Sequence, residues 1–541
     1  MFEQPLTPIV DSIVLSALVA ATPLIVLFVL LGVFKVRAPI AAGAALFLSL
    51  LLAIVGWRMP AVQALSAVGA GVFYGLFPIL WILVNALWIY RLSVATEWFA
   101  VLGRTIRSIS SDLRILSLLV AFSFGALLES LAGFGAPVAI SAAMLIAAGM
   151  KPVKAAVASL LANTAPVAFG ALGAPILALA GVTGIPAAEL AAMVGRQTPF
   201  MAALVPLLLV TLVDGRRGLR ETWPVALVAG IVFAVAQFIT SNFLAFELTD
   251  VVAAVATTVA ILVMLRFWQP SETITGDDEA DREHRSVPAE VRPPTRSVLL
   301  AVAPYAIIIV VFSLAQIPAV KTWLATFGTV TFAWPGLDVE TSTGDRASGQ
   351  DFHLDHLKAT GTLLFVSGLL TLLVYRIGIR RALSEYRATL TQLRWTIVTV
   401  TTVLALSFVM NLSGQTASLG FALASAGVFF AVLSPVIGWV GVAITGSDTA
   451  SNSLFGNLQV TAAAATGLPP LVMAASNTSA GVLGKMLSLQ NLAVASAAVG
   501  LEHGENMLLR KLVGWSVGLL ILLTIIIVLQ TTPVLGWMVP R

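Results

Sequence analysis

Two distant stretches of this chain carry matching sets of groups that could hold a small anion and move a proton. The first contains Glu129-Ser130-Leu131-Ala132-Gly133-Phe134-Gly135-Ala136-Pro137, followed by Asn163-Thr164. The second contains Gly446-Ser447-Asp448-Thr449-Ala450-Ser451-Asn452, followed by Ser476-Asn477-Thr478. Their frames also match: Leu92-Ser93 and Thr96 precede the first, Leu412-Ser413 and Thr416 the second, and Gly149-Met150-Lys151-Pro152 answers Gly467-Leu468-Pro469-Pro470. Gly133 and Gly135 permit turns that other residues resist, and Pro137 fits the first turn of a returning helix, where its missing N–H is not needed. Amides freed at such a tip, with the hydroxyls of Ser130, Thr164, Ser447, Thr449, Ser451 and Thr478, form a neutral donor cradle suited to a small carboxylate. Asn163, Asn452 and Asn477 both donate and accept, which suits the hydroxyl and carboxylate of a hydroxy-acid together. Small polar residues also cement helix packing in any membrane bundle. Their repetition in both halves favours a transporter's substrate site.

Ionisable residues inside apolar runs are costly, and each is a functional candidate. Glu129 and Asp448 occupy equivalent places in the two islands. Removal from water favours the neutral form of a carboxyl, so both are candidate proton carriers. Lys485, just past Asn477, and Arg196, inside an apolar run, are the candidate charge partners. Each could neutralise a substrate carboxylate or pair with Glu129 or Asp448, because a buried charge needs a partner.

These groups require a membrane scaffold. Of 541 residues, 59% are hydrophobic and 10% charged, against about 25% charged in soluble domains. Apolar runs of helical crossing length recur from end to end, without the period-two alternation of a β-barrel. The fold class is therefore an all-α polytopic membrane protein, with about 12 transmembrane helices and two re-entrant hairpins in two inverted-topology repeats. Crossings are expected near residues 9–34, 38–57, 65–90, 153–180, 187–213, 222–241, 248–267, 298–317, 358–376, 395–411, 469–490 and 508–532. The first run follows Glu3 and Asp11 without Lys or Arg and is expected to be a retained span. Residues 1–213 form the first repeat, with a hairpin near 113–148 and a broken helix at 153–180. Residues 214–297 connect, and 298–541 form the second repeat, with a hairpin near 430–465 and a broken helix at 469–490.

Basic residues set the orientation. Lys35, Arg37, Arg91, Arg104, Arg107, Arg216, Arg217 and Arg220 fall on one side, joined by Arg282, Arg285, Arg292, Arg296, Arg376, Arg380, Arg381, Arg387, Arg394, Arg510 and Lys511. The acidic loop 318–357 lies opposite, which places both termini outside. The segment 113–148 leaves a basic loop and returns to Lys151 and Lys154, so it enters and leaves on the cytoplasmic side; its counterpart enters from outside. Arg104 and Arg107 with Trp98 and Phe99 read as an interfacial amphipathic helix, and Gly276 to Arg296 as a flexible linker.

Other chemistries find little support. There is no cysteine, and no Walker-type glycine loop, dinucleotide fingerprint or triad spacing is present. His353-Leu354-Asp355-His356 has metal-like residue types but sits in a polar loop without a supporting ligand set, and His503 beside Glu502 and Glu505 reads as interfacial. No cofactor and no enzyme activity are expected. The surplus of four positive charges reflects cytoplasmic loops and not nucleic-acid binding.

The runs Glu129 to Pro137, Ala162-Asn163-Thr164-Ala165-Pro166, Gly446 to Asn452 and Ala475-Ser476-Asn477-Thr478-Ser479-Ala480-Gly481 resemble those of the bacterial L-lactate permease family, over essentially the whole chain. The resemblance implies uptake of L-lactate, with D-lactate and glycolate as related substrates, by proton symport through the bacterial plasma (inner) membrane. More distantly, the paired hairpins and Asn-Thr signatures resemble the transporter group containing sodium-coupled dicarboxylate carriers, whose triplets bind carboxylate and sodium. This chain departs from that pattern with Ala162 in place of Ser. The alternatives are a sodium-coupled dicarboxylate or anion symporter and a passive anion channel. Partners are the 2-hydroxy monocarboxylate substrate and the lipid bilayer, and assembly of more than one copy is compatible with the sequence.

Overall fold

Inside a bilayer, a helix satisfies every backbone group within its own segment, and helices dominate the computed structural model, which describes residues 1–131, 133, 135–275, 293–501 and 504–540. Most of the linker from Gly276, with Arg282, Arg285 and Arg292, lies outside the described residues, as do Ala132, Phe134, Glu502 and His503. The first half opens with α1 (Ile13–Phe28), α2 (Ala38–Val55), α3 (Ala61–Tyr74), α4 (Trp81–Val94) and the short amphipathic α5 (Trp98–Arg107). Then α6 (Leu113–Leu116) and α7 (Gly125–Leu131), joined by the π-helical stretch Ser117–Phe124, make one arm. The chain returns as α8 (Ala136–Ala147), packed back on α7 and the π-helical stretch. Next come α9 (Pro152–Ala162) and α10 (Gly170–Thr183), which with the intervening turn form a pair bent by 62°. α11 (Ala187–Val194), α12 (Thr198–Phe243) and α13 (Thr249–Phe267) complete the half, α12 being kinked at Asp214 and Gly215.

The second half begins with α14 (Thr295–Gln316) and α15 (Pro318–Phe327). A small cap follows: β1 (Phe2–Glu3) pairs in parallel with β3 (Val339–Glu340), and β2 (Val330–Ala333) pairs antiparallel with β4 (Asp351–Leu354). α16 (Thr360–Tyr375), α17 (Ile379–Ser413) and α18 (Gln415–Leu423) lead into α19 (Phe430–Thr445) and α20 (Asp448–Thr466). α21 (Pro470–Lys485), α22 (Leu489–Ala498) and α23 (Glu505–Gln530) close the fold.

Among the described residues, ten helices are long and apolar enough to cross a membrane, or eleven with the bent α9–α10 pair. That count takes the 46-residue α12 once, and α16 is shorter than the 18 residues it requires. Twelve crossings are compatible with it, since the kink divides α12 where two crossings are expected. Burial separates inner from outer elements: 94% of the apolar window of Leu113–Leu131 is buried, against 28% for α2. The first arm therefore packs inside the protein, and α2 has the exposure of a lipid-facing helix.

Relative sidedness follows from contacts at the ends. The Met1 amino group lies 3.0 Å from Asp338, Gly184 after α10 abuts Ser348, and Arg196 donates to the Met538 carbonyl at 2.6 Å. Both ends of the described chain thus share a face with the 318–357 loop. At the other face, Arg91 pairs with Glu385 at 2.9 Å. There the fully buried Arg114 binds Asp112 (2.7 Å), Asp214 (3.2 Å) and Glu221 (2.6 Å), fastening the root of the first arm to the kink of α12.

Candidate functional site

The turns that end the two arms are glycine-made. Gly133 (φ 44°) and Gly135 (φ 84°) stand between α7 and α8, and Gly446 (φ 76°) stands between α19 and α20. These left-handed conformations favour glycine. Ser447 caps α20, its hydroxyl accepting from the Ala450 N–H at 3.3 Å, which puts Asp448 in the first turn of that helix. A third break lies at the start of α10, where Ala171 (φ 44°), Leu172 (φ 48°) and Gly173 (φ 82°) are consecutively left-handed. Such backbone persists only where its surroundings over-determine it, and it clusters at functional sites.

These three breaks meet at one small, partly open cavity. Its lining includes Glu129 and Gly133 from the first island, Gly446, Ser447, Asp448 and Thr449 from the second, Gly170 and Ala171 from the third break, and Lys485. Glu129 and Lys485 form a buried ion pair, Nζ to Oε1 at 2.5 Å. Asn163 donates to the other carboxylate oxygen, Oε2, at 3.0 Å, and Gly170 lets its backbone approach the same side chain. Asp448 is also buried, yet among the described residues neither of its carboxylate oxygens has a hydrogen-bond partner. It faces Gly481, where a Cβ would come within 2.6 Å of Oδ1. Gly481 and Lys485 are four residues apart, hence on one face of α21, so a single helix addresses both acidic residues.

The remaining predicted residues stand behind this cavity and do not line it. Ser130 and Thr164 donate to the carbonyls of Leu127 and Leu161 in their own helical turns, each at 2.7 Å. In the second half Asn477 donates to Asn452 Oδ1 (2.9 Å) and Ser451 (3.4 Å) and accepts from Gln459 (3.1 Å). Asn452 in turn donates to the Pro175 carbonyl at 3.0 Å, joining α20 to α10 across the two halves. The Thr478 hydroxyl is buried without a partner among the described residues. Gly135 packs against Val494 and Asn491 of α22. Arg196 is elsewhere: its guanidinium binds Asn242 at 2.8 Å and the Met538 carbonyl, near the shared face of the chain ends.

Sequence reasoning passed over three side chains, Gln459, Asn491 and Asp250, and expected a broken helix at 153–180 without placing the break. The Gly170–Pro175 break was signalled by two glycines and a proline within an apolar run. Gln459 and Asn491 carried no signal beyond their polarity. Asp250, at the start of α13, is fully buried, and neither of its carboxylate oxygens has a partner among the described residues. Its signal was an acid at the edge of a crossing.

A sequence model of the family described as L-lactate permease matches residues 16–534. The chain belongs to the L-lactate permease family. The L-lactate permease of Bacillus subtilis (strain 168) is 40% identical over 562 residues, covering 100% of both chains. The glycolate permease of Escherichia coli (strain K12) is 40% identical over 544 residues, covering 97% of each. Among solved structures, the YdaH transporter of Alcanivorax borkumensis superposes over 90% of this chain and 87% of its own, with a TM-score of 0.40 and 14% identity, too distant to carry an argument about the site. The helices, the multi-pass architecture and the family agree: this is an integral membrane protein of a permease family.

Proposed function

We propose that the protein is a secondary active transporter that takes up L-lactate, with D-lactate and glycolate as related substrates, across the bacterial plasma membrane by proton symport. The observation that carries this reading is the shared cavity, in which the one cation among the described lining residues, Lys485, is already held by a carboxylate. An entering substrate carboxylate competes with Glu129 for that ammonium. Glu129, once displaced, is a buried charge without a partner, and a charge in that position is far costlier than a neutral acid. Uptake of a proton by Glu129 restores neutrality, so one anion and one proton enter together. Asp448, in its neutral form, can donate to the substrate, and the first turn of α20 with Ser447 and Thr449 supplies further donors for the carboxylate or the 2-hydroxyl. Asn163 keeps Glu129 oriented through the exchange.

Alternating access would follow from movement of one repeat, 1–213, against the other, 298–541, about the cavity between them, with 214–297 connecting the two. The test uses purified protein in liposomes with labelled lactate. Under an inward proton gradient without sodium, lactate should accumulate. Accumulation that requires sodium would replace this reading by a sodium-coupled dicarboxylate or anion symporter. Equilibration without accumulation would make the protein a passive anion channel.

A further inference from the structure

Asp250 is a buried acid that the exchange described above does not use. It stands in the first turn of α13, fully buried, with both carboxylate oxygens lacking a hydrogen-bond partner among the described residues. An acid with no structural partner is not there to hold the fold together, since an unpaired buried polar group is a cost. Its electrostatic neighbours are Glu129 and Lys485, the two members of the ion pair in the cavity. α13 packs directly on α7, which carries Glu129, and on the π-helical stretch Ser117–Phe124. A π-helical segment inside a longer helix often marks a functional site.

Few other charges bear on Asp250. The π-helical stretch and α10 carry no ionisable residue. Glu247, in the turn before α13, is bonded to Thr360. The charges of α12, Asp214, Arg216, Arg217, Arg220 and Glu221, sit at its kink, where Arg217 and Arg114 reach Glu272 just beyond the far end of α13. The seventeen residue steps from Asp250 to Phe267 put that cluster about 25 Å away at 1.5 Å per residue. The charges that bear on Asp250 are therefore those of Glu129 and Lys485, so opening their pair changes the charge that Asp250 faces.

We propose that Asp250 is a proton-binding residue of the transport cycle, exchanging the coupling proton with Glu129 when substrate opens the Glu129–Lys485 pair. In that step the O–H bond on Asp250 breaks, an O–H bond forms on Glu129, and Asp250 regains a proton from a hydronium ion on the side from which substrate enters, leaving water; nothing is oxidised or reduced. Two further buried hydroxyls without partners among the described residues lie nearby in the fold: Thr257, seven residues along α13 and so on the same face, and Ser123, in the π-helical stretch packed against it. They give this side of α13 polar groups that its packing does not use.

The proposal rests on the proton-symport reading, and the experiment separates the two. Wild-type protein, Asp250→Asn and Asp250→Glu are reconstituted, and each is assayed for lactate–lactate exchange and for accumulation under a one-unit inward pH gradient. One-to-one coupling predicts about tenfold accumulation by the wild type, the factor equivalent to 1.4 kcal/mol. Asp250→Asn should still exchange lactate while its accumulation falls to parity, and Asp250→Glu should restore accumulation. A wild type that does not accumulate lactate refutes the symport reading itself. A wild type and an Asp250→Asn variant that accumulate alike, with the same pH dependence, refute only the role of Asp250. Should the Asn variant fail to fold, infrared difference spectra with and without lactate decide. A protonated carboxyl band that responds to lactate and shifts in Asp250→Glu supports the role, and a band identical in both proteins overturns it.

Discussion

Lys485 and Glu129 neutralise each other while both are buried, and this makes their separate removal unequal to their joint removal. Lys485→Met alone leaves a buried carboxylate without its cation, a loss of about 3–5 kcal/mol, whereas removing both charges of a buried pair is often close to neutral. Thermal unfolding in detergent should therefore rank Lys485→Met with Glu129→Gln above Lys485→Met alone, and neither should concentrate lactate. At Gly481 the added methyl of an alanine would sit 2.6 Å from Asp448 Oδ1 and 2.7 Å from Val442 Cγ2. Gly481→Ala should displace the Asp448 side chain and slow proton-driven uptake by about tenfold or more, equivalent to at least ~1.4 kcal/mol. An uptake rate equal to wild type would remove Asp448 from the cycle. Glu129, Asp448 and Lys485 were legible because a charge within an apolar run is costly enough to need a reason. Asp250 was not, because an acid beginning a helix has an ordinary explanation in the helix dipole. The asparagines were legible as polar groups and illegible as partners: Asn163 orients Glu129, while Asn452 and Asn477 hold helices together.

The contact between α19 and α21 is made by backbone. A Cβ on Gly438 would lie 2.3 Å from the Asn477 carbonyl oxygen, and one on Gly484 2.1 Å from that of Trp439. No rotamer change relieves a clash with a main chain, so Gly438→Ala must part the helices and shift Asn477 from Asn452 and Gln459. We expect a loss of about 1–3 kcal/mol, the usual range for overpacking, seen as a lower melting temperature and weaker substrate protection. At the root of the first arm, Arg114→Gln would take from Asp112 and Asp214 the buried guanidinium they share and leave Glu221 with Arg217. A destabilisation of about 3–5 kcal/mol is expected from a broken buried pair. The ends of these elements were legible where Gly446, Gly467 and Pro152 punctuate the sequence. The π-helical stretch and the left-handed run at Ala171 and Leu172 were not, because both are written in ordinary apolar residues whose backbone is set by their neighbours.

For the molecule as a whole, the contacts of Met1, Ser348 and Met538 gather the chain ends and the 318–357 loop on one face. The positive-inside rule assigns that face to the exterior. The absence of cysteine from the sequence makes this directly testable by single substitutions. A membrane-impermeant maleimide added to intact cells should label Thr343→Cys, and should label Arg387→Cys only after permeabilisation; the reverse pattern would invert the topology. Both positions are exposed. The expected sidedness rests on basic residues, which mark loops regardless of how the helices pack, and the labelling tests it. The joining of the halves through α10 and α20 was not, since it depends on a bond between an asparagine and a carbonyl 277 residues earlier.

That bond between Asn452 and Pro175 has a consequence for how the protein is made. Chains fold from the N-terminus as they are synthesised, so α10 enters the bilayer well before α20 exists to hold it. The left-handed run at its start persists in the finished protein because its surroundings enforce it, and those surroundings arrive late. The cavity between the halves is then among the last parts of the molecule to be completed, and an interrupted chain should carry an unfinished first half. A chain truncated after α16 should expose the region 163–175 to protease, and the complete chain should protect it.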